Sequence, residues 1–127
     1  MTTAFDPTEG LVVVSACVWG PSGDRVLRLA LDAGATSTIL SSAILVAVGY
    51  APAPSGERVR MTTGSGVEYV PLVNVERIAA LGTQELDFPV ISHTLPPTVS
   101  VDGLLGLDFL RDQRLTIDFR AGEISLE

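Results

Sequence analysis

Apolar and polar positions alternate over short stretches, with turn residues between them. "LVVVSACVW" (11–19) reads as a strand, "GPSGD" (20–24) as a tight turn, and "RVLRLAL" (25–31) as the second strand of a hairpin. "TSTIL" (36–40) predicts a further short strand. "SSAILVAVG" (41–49) predicts one or two helical turns, with a serine cap and Gly49 as the stop. "APAPSG" (51–56) is a loop, and "ERVRMTTGSGVEYVPLV" (57–73) predicts a hairpin whose tip is rich in small residues. "NVERIAALG" and "QELDFPVIS" form another strand–turn–strand unit around Gly82 and Thr83. The two prolines of "HTLPPTVS" (93–100) make that stretch irregular. "VDGLLGLDFLRD" (101–112) holds a glycine-flanked apolar element and then a short helix, and "RLTIDF", "RAG" and "EISLE" make a last hairpin. Short strands at close intervals predict an all-β chain, a small closed barrel or a sandwich.

Composition narrows this picture. A length of 127 residues fits one domain spanning 1–127, with residues 1–10 as a flexible segment. The 46% hydrophobic share supports a packed core and excludes disorder, and the 6% aromatic share leaves Val, Leu, Ile and Ala to fill it. A formal charge of −7 disfavours nucleic acid and anionic membrane as partners. Cys17 is the one cysteine, so an internal disulfide and a thiolate zinc cluster are excluded, and it reads as a small buried hydrophobe. "MTTAFDPTEG" has no basic n-region, and no run reaches the ~18 apolar residues of a membrane span. The chain therefore reads as soluble and cytoplasmic.

Other chemistries find little support. His93 is the sole histidine and reads as an exposed loop residue; no G-x-S-x-G elbow accompanies it. "TGSG" lacks the lysine of a phosphate loop. Trp19 reads as a hairpin-end packing residue, because no basic stripe surrounds it.

"LALDAGATSTIL" (29–40) carries the candidate chemistry. A hydrophobic strand delivers one carboxylate, Asp32, to the end of a β-layer, although burying a lone charge is costly. Gly34 allows a sharp turn and close approach, and Ala35 keeps the next position small. A carboxylate so placed can hold a catalytic water if a second acid faces it. Two such acids share one proton, because both cannot readily ionise.

These residues resemble the active-site loop of retropepsin-like aspartic proteases, in which hydrophobic–Asp–Thr/Ser–Gly–Ala is usual. "VDGLLGLDFL" resembles the family's second, glycine-containing signature before a short C-terminal helix. The order of acid loop, glycine-tipped hairpin and second glycine element fits over most of residues 11–127. The resemblance implies a small closed acid-protease barrel of cellular, bacterial type, acting on peptide or protein substrates as a homodimer with no cofactor or metal. Asp32 would be the catalytic residue, with Ala33, Gly34 and Ala35 in its loop. Thr63, Gly64, Ser65 and Gly66 would form a flap over the substrate. Asp108 would lie behind the loop, with Thr38 as the matching hydroxyl and Gly106 beside it; a helix-start carboxylate is a compatible reading. Asp102 reads as a turn residue.

Two positions depart from the family pattern. Ala33 replaces the Thr or Ser whose hydroxyl crosses the two-fold axis in the family. Losing a symmetric pair of such bonds costs a dimer about 1–3 kcal/mol. Three readings stand at this point: a weak or substrate-stabilised dimer, a proteolytically inactive module that keeps the fold for binding, and an engineered form of a D-T-G-A parent. The second departure is Leu107, where viral members often carry an arginine paired to an acid; Thr36 stands at that second position.

Overall fold

Residues that alternate in the sequence become the inner wall of a barrel: Val14, Ala16, Val18, Leu27 and Leu29 are all buried. The computed structural model describes residues 2–51, 58–96 and 98–127. The chain runs through β1 (Thr2–Ala4), β2 (Val13–Gly20), β3 (Gly23–Leu31), β4 (Ile39–Ser41) and α1 (Ser42–Ala47). It continues through β5 (Arg58–Thr63), β6 (Gly66–Ala80), β7 (Thr83–His93) and β8 (Gly103–Leu105). The last elements are α2 (Leu107–Leu110), β9 (Leu115–Asp118) and β10 (Glu123–Leu126).

Strands β2, β3, β8, β4, β7 and β6 are bonded in that order, and β6 pairs back onto β2, so six strands close a barrel. β5 hangs on β6 outside this ring, and β1, β10 and β9 form a separate antiparallel sheet. Fully buried Leu27, Leu29, Leu40, Leu45, Ile78, Leu105 and Phe109 fill the interior. Each large aliphatic side chain removed from water contributes about 1.5–3 kcal/mol. Phe88 meets Phe109 edge to face, with centroids 6.0 Å apart. Among the described residues, no helix is long and apolar enough to cross a membrane.

Several elements differ from the sequence reading. β6 is one 15-residue strand with no break at 73/74. Its buried face changes parity, from Val70 to Val75 and then to Ile78 and Ala80, which hides its continuity from a period-of-two reading. The second change lies opposite Asp87, which has φ 50°; there Glu76 N donates to the Tyr50 hydroxyl at 2.7 Å. The strand expected over 36–40 begins only at Ile39, because Thr36 and Thr38 spend their backbone groups on α2 and β7. α1 has no serine side-chain cap; Ser42 Oγ instead bonds Ser92 Oγ at 2.8 Å. The segment 1–10, read as flexible, contains β1, whose Thr3 pairs with Ile124, and Phe5 beyond it is buried. From residue 52 on, the expected 51–56 loop lies outside the described residues, as does Pro97.

The second glycine signature has a steric cause. A Cβ on Gly103 would collide with the Ile39 carbonyl of β4, and one on Gly106 would lie 2.7 Å from Ser37 O. Backbone therefore sits against backbone where β8 crosses the 32–41 segment, and no side chain fits between. Gly103→Ala is expected to destabilise the fold by at least about 1–3 kcal/mol, read as a lowered melting temperature. An unchanged melting temperature would refute this close-packing account.

Candidate active site

Parallel pairing sets the position of the acid. β3 runs beside β8, with Leu29 opposite Gly103 and Leu31 opposite Leu105. Asp32 N then donates to Leu105 O at 3.0 Å, so the carboxylate emerges where both strands end. Asp32 is half-buried, and its Oδ1 accepts from Gly34 N at 2.9 Å. A Cβ on Gly34 would lie 3.2 Å from that oxygen, tighter than ordinary packing, which explains why glycine suits this position. Ala35 N donates to Asp32 O at 3.2 Å and closes the turn. Ala33, between them, is exposed.

Behind the loop lies a polar lattice. Thr38 is fully buried. Its hydroxyl donates to Asp108 Oδ1 at 2.7 Å and accepts from Gly106 N at 3.1 Å. Thr38 N lies 3.0 Å from both Asp108 oxygens, and Phe109 N donates to Oδ1 at 2.9 Å. Leu107 N donates to Ala35 O at 2.8 Å, and Thr38 O accepts from Ile91 N at 2.9 Å. Asp108 stands in the first turn of α2, but its carboxylate is committed to Thr38 and Phe109 and is not free to act as a base.

Above the loop, β5 and β6 form a hairpin whose last pair is Thr63 with Gly66, leaving Gly64 and Ser65 at the tip. Between hairpin and loop lies a cleft of about 650 Å³. Gly34, Ala35 and Ile39 line its floor side, Val59 and Met61 its hairpin side, and Ile91 and His93 its back.

Asp32, Ala33, Gly34 and Ala35 thus share one turn, and Thr38, Gly106 and Asp108 share the lattice beneath it. Thr63, Gly64, Ser65 and Gly66 occupy the end of the overhanging hairpin. His93 departs from its sequence reading: it ends β7, is half-buried, and its Nε2 donates to Glu68 Oε1 at 3.0 Å. Asp102 accepts from Arg28 N at 2.8 Å and so clips β3 to the turn before β8. Cys17 is half-buried, and burial followed by the charge of Asp24 pushes its thiol up. Arg77 stacks on Trp19, 3.7 Å from the ring centroid. Among the described residues, no group of three or more His, Cys, Asp or Glu gathers as a metal site.

Comparison with known proteins bears on the family and the fold. The family model described as "gag-polyprotein putative aspartyl protease" matches residues 22–112. No curated protein sequence matches the chain. The crystal structure of a retropepsin-like aspartic protease from Rickettsia conorii superposes with a TM-score of 0.68 at 13% identity, covering 99% of this chain and 88% of that one.

The lattice is testable by itself. Thr38→Val keeps the side-chain shape but leaves the buried Gly106 N–H without its acceptor. Stability is expected to fall by about 1–3 kcal/mol, read as a lower urea midpoint with an unchanged slope. A midpoint equal to the parent's would show that the hydroxyl contributes nothing.

Proposed function

The chain belongs to the retropepsin-like "gag-polyprotein putative aspartyl protease" family, and on that premise we propose that it is an aspartic endopeptidase acting as a homodimer through Asp32 of each copy. The observation that carries this reading is the carboxylate of Asp32, held by Gly34 N at the start of a loop that floors an open cleft. Asp108 is consumed by the hydrogen bonds behind the loop, so on this reading the second acid is Asp32 of another copy. The reading takes residues 1–127 as one unit per copy.

Two Asp32 carboxylates side by side would hold one proton between them. The ionised one takes a proton from water, and the water oxygen attacks the scissile carbonyl carbon. The protonated one gives its proton to the carbonyl oxygen, forming a gem-diol. Collapse returns a hydroxyl proton to the pair, breaks the C–N bond, and leaves the nitrogen with a proton from the pair. Residues 63–66 would close over the peptide as a flap and bond its backbone. Apolar Ile39, Val59, Met61 and Ile91 around the cleft would receive its side chains. The chemistry calls for no metal or cofactor. A lone unpaired cysteine suits a reducing compartment such as the cytoplasm.

Ala33 favours a second reading, a binding module with the same fold and no peptidase activity, because the family's hydroxyl at this exposed position is missing. A protease assay across protein concentration separates the two. Cleavage that rises with dimer fraction supports the enzyme, and its absence in demonstrated dimer supports the module.

Asp32→Asn is expected to lower peptide-library cleavage by about 10²–10⁴-fold, and a statine-type peptide is expected to inhibit the parent. Cleavage by the Asn variant at the parent's rate would end the proposal. Ala33→Thr is expected to lower the dimer dissociation constant by about one to two decades, read by sedimentation. Unchanged sedimentation would count against the role given to Ala33.

A further inference from the structure

We infer that His93 and Glu68 form a tie holding the β5–β6 hairpin over the cleft, which makes both of them positioning residues for a bound peptide. The tie itself rests on geometry, and only its effect on turnover rests on the peptidase reading.

The hairpin projects from the barrel. β6 starts to pair with β7 at Leu72 and Ile91; before that, residues 66–71 have β5 as their strand partner. A two-stranded ribbon gains much of its stability from contacts beyond its own pairing. Its two faces differ. Val67 and Tyr69 point outward and are 56% and 67% exposed, whereas Val70 is buried. Glu68 lies two residues from Val70 and opposite Met61, which lines the cleft, so Glu68 belongs to the inner face. Arg60 pairs with Tyr69 and also borders the cleft, and the contact that Glu68 makes is with the imidazole of His93.

The other end of the tie is anchored. His93 pairs with Ser41 of β4, and Ile91, two residues earlier, donates its N–H to Thr38 O. The contact from His93 Nε2 to Glu68 Oε1, 3.0 Å, therefore joins the hairpin to the strand that braces the Asp32 loop. Both side chains are partly exposed, 30% for His93 and 51% for Glu68. A side-chain contact so exposed is weak. That weakness suits a contact that has to break when a peptide enters and re-form above it.

Backbone hydrogen exchange of the full chain, without any ligand, tests the tie. In His93→Ala and Glu68→Ala, amides of residues 58–72 are expected to exchange about two- to fivefold faster, with β2 and β3 unchanged. His93→Gln, which keeps a donor near the Nε2 position, is expected to restore the parent's rate. Unchanged hairpin exchange, or equal acceleration throughout the barrel, overturns the tie. In peptide cleavage, KM is expected to rise about two- to fivefold with kcat little changed; a fall in kcat at constant KM overturns the positioning role. If the parent cleaves nothing, the peptidase reading fails, and the exchange result still decides the tie.

Discussion

The crossing of the Asp32 loop over the 103–108 segment is the constraint on which the rest depends. Two glycines bring backbone to backbone there, and one threonine hydroxyl fills the remaining gap between Gly106 N and Asp108 Oδ1. Burying Thr38 and a carboxylate oxygen in this way is tolerable because every donor finds an acceptor. An apolar residue at 38 would orphan Gly106 N, and any side chain at 103 would force β8 away from β4. The direction of the Asp32 side chain thus follows from packing two layers beneath it.

The cleft has two walls that are bonded differently. Its floor is laced on both sides, to β8 and α2 through Asp32, Ala35 and Thr38, and to β7 through Ile91. Its hairpin wall is a ribbon that joins the barrel at Leu72 and touches β7 beyond that pairing through Glu68 and His93. A rigid floor preserves the placement of a reacting carboxylate. On the proposed reading, a loosely held roof would admit a chain-like ligand and close on it. The same strand, β7, braces the first and tethers the second, so motion of the hairpin is referred to the frame that holds the acid.

Legibility in the sequence followed the density of local signal. "LALDAGA" and "VDGLLG" concentrate glycine and apolar signal within a few residues, and both lie at the crossing. The barrel itself was legible because Val14, Ala16, Val18, Leu27 and Leu29 alternate cleanly. β6 was not, since its buried face changes parity where Asp87 takes a positive φ and Tyr50 intercepts an amide. β1 is three residues long and finds its partner at the far end of the chain, so no local pattern could announce it. His93 looked like a loop residue because prolines follow it; its partner lies 25 positions away on a face defined only once the hairpin is built.

On the proposed reading the second acid comes from another copy, and Ala33 then bears on how two copies meet. Asp32 is half-buried and receives one backbone donor, enough to orient a carboxylate but not to share its proton. Sharing requires a second carboxyl group a few ångströms away, and the other aspartate of this crossing, Asp108, is already saturated. On the proposed reading, the contact that brings two loops together falls at exposed residue 33, where a methyl group replaces a donor. A methyl adds little area and no direction, so the free energy for pairing has to come from surfaces outside the loop and from the bound peptide. Catalytic competence then becomes a function of occupancy: a ligand that spans both clefts stabilises the pair of acids by mass action, in proportion to its preference for the assembled state.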